Sequence, residues 1–199
     1  MSGDHDRERA CPEGAPLAAI ADTRILPVLT IDDISAAMPL AEALRLGGVR
    51  AIEVTLRSQA ALPAIRTVAN RGDLLVGAGT VLNPADVDHA VDAGAQFAVS
   101  PGFSPPVIER CRARGIEVIP GVATPTDILM AMEAGIDVLK YFPAQQLGGP
   151  PSVKALAAPF TFTRFIPTGG VGPANLADYL SLPAVLAVGG SWMAGRELQ

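Results

Sequence analysis

The sequence predicts an α/β fold of the (β/α)8 TIM-barrel class, with a short or missing eighth helix. Three observations predict it. Short apolar runs alternate with longer amphipathic segments at a spacing of roughly twenty to twenty-five residues, as βα units require. Eight such runs occur along the chain. The first runs out through PVLTIDD, without the GxGxxG turn that an open doubly wound sheet normally carries there.

The strand candidates, in order, are RILPVLT (24–30), VRAIEVTL (49–56), LLVGAGTV (74–81), QFAVSP (96–101), IEVIPGV (116–122), DVLKYFP (137–143), TRFIPTG (163–169) and AVLAVGG (184–190). Between them lie helical patterns such as DDISAAMPLAEALRLGG, NPADVDHAVDAG, SPPVIERCRARG, TPTDILMAMEAG and GPANLADYLSL. Several begin with a capping residue followed by proline (Asn83-Pro84, Ser104-Pro105, Thr124-Pro125), and several end in Gly94, Gly115 or Gly135. That asymmetry marks helix start and stop. Pro39 and Pro63 lie within helical patterns and mark a kink or a late start. After Trp192 only MAGRELQ remains, too little for a full final helix, so either the native chain is clipped here or another surface, such as a neighbouring subunit, covers that side.

With 199 residues, 49% of them hydrophobic, the chain is long enough for one sizeable core and short for two. A net charge of −5 without basic runs argues against nucleic acid as a partner. The opening MSGDHDRERACPEG mixes both signs of charge and reads as part of a solvated, disordered leader over residues 1–16, ahead of a single domain over 17–199. It lacks the apolar core of a signal peptide, and no later run is long enough to cross a bilayer. Cys11 and Cys111 form neither a disulfide framework nor a CxxC pair, and Cys111 reads as a packing residue in a helix. His5 and His89 show no ligand spacing, so neither a metal nor another cofactor is expected, and the location is read as cytoplasmic.

The polar residues on strands carry the functional signal. In AIEVTLR, Glu53, Thr55 and Arg57 share one face and Ile52, Val54 and Leu56 the other. The lumen face of a barrel strand leads to the active site at the strand's C-terminal end. A purely structural Glu53–Arg57 salt bridge is the alternative. Thr80 ends the third strand and would enter the same mouth if Val76 and Ala78 line the lumen. Pro101 reaches the top of the fourth. Lys140, one of only two lysines, sits in the apolar run GIDVLKYFPA. A charged ammonium is costly there unless it is paired or loses its proton, and an uncharged lysine forms Schiff bases with carbonyl compounds. The bland alternative is a lysine that snorkels to solvent. Finally, PTGGVGP (167–173) and GGSW (189–192) place glycine turns after the seventh and eighth strands, where barrels commonly bind phosphate.

These residues, in GGVRAIEVTLR, VGAGTVLNP, GAQFAVSPG, LKYFPA, PTGG and GGSW, resemble the 2-keto-3-deoxy-6-phosphogluconate aldolase family, which includes the 4-hydroxy-2-oxoglutarate aldolases. The likeness runs from about Ile25 to Trp192. It implies a metal-free class I aldolase, usually a homotrimer, that splits a phosphorylated 2-keto-3-deoxy sugar acid into pyruvate and D-glyceraldehyde 3-phosphate. By this resemblance Lys140 is the Schiff-base lysine and Glu53 the general acid/base. Arg57 and Thr80 hold the pyruvyl carboxylate, Pro101 and Phe142 line the pocket, and Gly169, Gly170, Gly190 and Ser191 take the phosphate. The family often reads FPAE where this chain has Phe142-Pro143-Ala144-Gln145. Three other functions stay open at this point. They are a phosphogalactonate aldolase, a phosphate-binding barrel isomerase or decarboxylase without imine chemistry, and a non-catalytic sugar-phosphate sensor.

Overall fold

The computed structural model describes residues 14–195. His5, Cys11 and most of the segment read as a leader lie outside the described residues, as does the end of the tail. Helix α1 (Ala15–Thr23) begins two residues inside that segment, a correction to its boundary at residue 16. Pro16 sits in its first turn, and Leu17 and Ile20, three apart on one face, are buried.

The elements then alternate as β1 (Ile25–Leu29), α2 (Ala37–Leu46), β2 (Ala51–Thr55), α3 (Ala61–Ala69), β3 (Leu75–Gly79), α4 (Pro84–Asp92), β4 (Phe97–Val99) and α5 (Pro105–Arg114). They continue as β5 (Glu117–Ile119), β6 (Gly121–Val122), α6 (Pro125–Glu133), β7 (Val138–Tyr141), α7 (Gly149–Ala157), β8 (Arg164–Pro167), α8 (Leu176–Leu180) and β9 (Val188–Gly190). All strand pairs are parallel. Six strands run in the order β5-β4-β3-β2-β1-β9 and three in the order β6-β7-β8. The result is a curled, TIM-barrel-like α/β fold.

The fifth run, predicted as one strand over 116–122, is two strands separated by Pro120. Proline has no N–H to give to a ladder. Its carbonyl still accepts the Lys140 N–H at 2.9 Å, which ties the start of β6 to β7. Isolated parallel bridges join Phe165 to Val185 and Thr168 to Gly189, between the β8 and β9 segments.

Of the three predicted caps, Asn83 and Thr124 act through their side chains, whereas Ser104 precedes α5 without a side-chain capping hydrogen bond. Asn83 caps α4 by accepting the Asp86 N–H at 3.0 Å. Thr124 and Asp127 form a reciprocal capping box at α6. Pro39 and Pro63 each fall in the first turn of their helix, so both mark late starts rather than kinks. Within the described residues, β9 is followed only by a single 3₁₀ turn, Trp192–Ala194.

Two packing layers follow from strand alternation. Ile52, Val54, Val76, Ala78 and Ala98 face outward, against α2, α3 and α4. Inside the curl, Leu26, Ala51, Phe97, Ile119, Val138 and Ile166 pack together with Leu17 and Ile20 of α1. Most of these strand residues lie toward the N-terminal ends of their strands, so α1 closes that end and leaves the C-terminal end open. Cys111 is fully buried in α5, and burial pushes its thiol up to about 11, as suits a packing residue. Among the described residues, no helix is long and apolar enough to cross a membrane.

Candidate active site

The site begins with the alternation of β2. Glu53 stands opposite Val28 of β1 and Gly77 of β3, and Thr55 stands opposite Gly79. On the far side of the curl, Lys140 of β7 is registered with Gly121 and Ile166. The two inward side chains meet: Lys140 Nζ donates to Glu53 Oε1 at 3.2 Å. Only 7% of Lys140 and 1% of Glu53 is exposed. Burial disfavours an isolated ammonium or carboxylate, and each supplies the other's compensating charge. The pairing removes two readings left open by the sequence. Lys140 does not snorkel to solvent, and the ion pair of Glu53 is with Lys140 rather than Arg57.

The second carboxylate oxygen, Glu53 Oε2, is buried without a hydrogen-bond partner among the described residues. A buried, unsatisfied carboxylate oxygen is costly and is a ready acceptor for a proton or a water. Phe142 lies beside the pair, its ring centroid 5.4 Å from Lys140 Nζ.

Room for the Glu53 carboxylate comes from Gly79. A Cβ built on Gly79 would overlap Glu53 Oε1 and lie 2.6 Å from its Cγ and 2.7 Å from its Cδ. Gly79→Ala is therefore expected to swing the carboxylate off Lys140 and to cut turnover about 100-fold, the scale of a 1 Å misplacement. Steady-state rates, compared with thermal melts on the same sample, check this. Unchanged turnover would show that the contact is not needed.

The premise that would bring Thr80 into the mouth does not hold. Val76 and Ala78 line the outer layer, not the lumen, so simple alternation does not bring Thr80 inward. Instead Thr80 adopts a left-handed backbone, with φ 58. That conformation is rare for a β-branched residue and turns the chain just after Gly79. Arg57 donates from Nε to Thr55 Oγ1 at 3.2 Å and from Nη2 to Thr30 Oγ1 at 2.8 Å. Pro101 is half-buried just after β4, and its carbonyl group occupies the space a Cβ on Gly121 would need.

The two glycine turns lie side by side, joined by the bridge from Thr168 to Gly189. Gly169 and Gly170 have φ 97 and φ 73, values that glycine adopts without strain. The backbone N–H groups of Gly170 and Ser191 have no acceptor among the described residues. Successive unpaired N–H groups on a turn make an anion-binding concavity. Asn175 braces this turn by donating to Gly170 O at 3.0 Å and to Gln145 Oε1 at 3.2 Å. Gly190 is packed under the Trp192 ring.

Of the residues singled out in the sequence, Lys140, Glu53 and Phe142 converge directly, and Arg57 stands two residues beyond Thr55 at the same mouth. Gly169, Gly170, Gly190 and Ser191 form the paired turns. Sequence reasoning missed Thr30 and Gly79 and gave Thr55 no role. The signal for Thr30 was present, a hydroxyl residue directly after an apolar strand.

Fold and site together define a TIM-barrel-like α/β enzyme with a buried lysine against a carboxylate. A family model, "KDPG and KHG aldolase", matches residues 18–199. A 2-dehydro-3-deoxy-phosphogluconate aldolase from Treponema pallidum is 49% identical over 180 residues, covering 90% of this chain and 86% of the relative. A KHG/KDPG aldolase from Escherichia coli is 45% identical over 174 residues, covering 87% and 82%. The crystal structure of a KDPG aldolase from Legionella pneumophila, with pyruvate captured as a covalent carbinolamine, superposes with a TM-score of 0.89 at 40% identity, covering 92% and 90%. The chain belongs to the KDPG and KHG aldolase family; it is an aldolase, and so a lyase.

Proposed function

We propose that this aldolase cleaves 2-dehydro-3-deoxy-6-phosphogluconate to pyruvate and D-glyceraldehyde 3-phosphate through an imine on Lys140. The observation that carries the reading is the buried 3.2 Å contact between Lys140 Nζ and Glu53 Oε1. As the free amine, Lys140 attacks the C2 ketone, and loss of water leaves a protonated imine. The iminium draws electrons from the C3–C4 bond once the C4 hydroxyl gives its proton to Glu53, directly or through a water. The aldehyde departs and an enamine remains. Glu53 returns a proton to C3, and hydrolysis of the imine releases pyruvate and regenerates the amine.

Arg57 and Thr80 hold the pyruvyl carboxylate, while Pro101 and Phe142 line the pocket. The turns of Gly169, Gly170, Gly190 and Ser191, with the N–H groups of Gly170 and Ser191 unpaired among the described residues, take the phosphate. Grip on the distant phosphate orients the reacting end. The paired N–H turns favour a phosphorylated substrate over the unphosphorylated 4-hydroxy-2-oxoglutarate, whose cleavage to pyruvate and glyoxylate is the second reading. That reading is supported by the name of the Escherichia coli relative.

The same proposal includes an eight-strand ring, with β5 and β6 counted as one strand broken at Pro120 and closure through the bridges from the β8 segment to the β9 segment. It also includes one domain beginning with α1 at Ala15, a cytoplasmic location and a homotrimer. For the trimer the support is an apolar strip on α6, where Leu129, Met130 and Met132 are exposed; sedimentation of the purified chain tests it. Pyruvate release from phosphogluconate-, phosphogalactonate- and hydroxy-oxoglutarate-derived substrates, assayed side by side, tests the substrate. The phosphogluconate compound is expected to be cleaved fastest. Preference for either of the others would overturn the assignment.

A further inference from the structure

We infer that Thr30 and Thr55 are positioning residues that turn Arg57 so that it takes the keto-acid carboxylate on its Nη1/Nη2 edge. The inference rests on the function proposed above and adds how the guanidinium is aimed.

The hydrogen bonds fix the direction of every proton in this cluster. Thr55 Oγ1 donates its one proton to Leu29 O at 3.1 Å. It therefore acts as acceptor in its 3.0 Å contact with Thr30 Oγ1, and Thr30 is the donor there. Thr55 also accepts from Arg57 Nε at 3.2 Å, and Thr30 accepts from Arg57 Nη2 at 2.8 Å. Both hydroxyls are thus locked, and both sit on the same side of the guanidinium, the edge formed by Nε and Nη2. Of the five N–H donors on arginine, the Nη1 pair and one Nη2 hydrogen are left, and these form the end-on fork that matches a carboxylate.

The cluster is anchored to rigid elements. Thr55 is buried at the end of β2, and Thr30 directly follows β1, its pairing neighbour. Ser58, one residue past Arg57, donates to Ile31 O and holds the following segment to the same strand end. No acidic side chain pairs with Arg57 among the described residues. Its charge is met only by two neutral hydroxyls, which leaves the full attraction for an incoming anion. A carboxylate in place of either threonine would hold the guanidinium equally well but neutralise it.

The test uses borohydride trapping of pyruvate on the full chain, read as two quantities: the half-saturating pyruvate concentration and the trapping rate at saturation. Thr55→Val and Thr30→Val are each expected to raise the half-saturating concentration about tenfold, the cost of losing a charge-assisted hydrogen bond. The saturating rate stays within about twofold, because Lys140 and Glu53 are untouched. Thr55→Ser, which keeps the hydroxyl, is expected to restore the wild-type concentration. In an Arg57→Ala background, Thr55→Val is expected to add nothing, since the two act as one unit. An unchanged half-saturating concentration in both valine variants overturns the inference. So does a fall in saturating rate without a change in that concentration, and so does full additivity with Arg57→Ala. Absence of trapping in the wild-type chain is a different result, and it would remove the imine function itself.

Discussion

Replacing Lys140 with alanine is expected to lower aldol cleavage by roughly 100,000-fold or more, the scale on which loss of a covalent nucleophile is felt. Without the amine there is no iminium, and the electrons of the C3–C4 bond have nowhere to go. The substitution also leaves Glu53 buried and unpaired, which costs about 3–5 kcal/mol when one member of a buried pair is removed. Lys140→Arg separates the two effects. It keeps a cation opposite Glu53 but offers no amine able to form an imine, so it is expected to fold better than the alanine variant and to be as inactive. Peptide mapping after borohydride reduction with pyruvate is expected to find the adduct on Lys140. Lys154, the other lysine, lies in the last turn of α7, exposed on the helical layer. An adduct there, or cleavage surviving in Lys140→Arg, would exclude the imine at Lys140.

Glu53→Gln is expected to divide the reaction at its midpoint. The amide keeps the shape of the carboxylate and can still accept a hydrogen bond from Lys140, so pyruvate is still trapped by borohydride. It cannot take a proton from the C4 hydroxyl or return one to C3. Cleavage is expected to fall about 100- to 10,000-fold, the usual contribution of a positioned acid/base group. Exchange of the pyruvate methyl protons into heavy water, followed by NMR, isolates the step at C3 and is expected to fall by a similar factor. Exchange and turnover at wild-type rates would remove Glu53 from that role. Buried Glu53 Oε2, without a hydrogen-bond partner among the described residues, is the atom most free to receive the proton.

How far the site could be read in advance depended on which physical signal each residue carried. Lys140 and Glu53 were legible because a charged residue in an apolar strand breaks the hydrophobic pattern, and that break is visible letter by letter. Arg57 followed from the period of two in AIEVTLR. Thr80 was placed in the mouth from a premise the structure overturns, since Val76 and Ala78 pack against the helices. Its left-handed φ of 58 depends on tertiary contacts and leaves no mark in hydrophobic periodicity. Gly79 was hidden for a related reason. Its role is the absence of an atom, which matters only once Glu53 has been brought beside it from the neighbouring strand. The break at Pro120 was written in the sequence, yet apolar residues on both sides made one long run of IEVIPGV. Helix α1 went unread because the mixed-charge segment before it was extended to residue 16, over the apolar Ala15 and Pro16 that open the helix.

The proposed nucleophile and its carboxylate partner belong to different arcs of hydrogen-bonded strands: Glu53 to the run of six, Lys140 to the run of three, with the chain crossing between them at Pro120. Neither arc, however well formed, contains the chemistry. Catalytic competence is consequently a property of the finished assembly alone, so enzymatic activity serves as a reporter that both halves have docked.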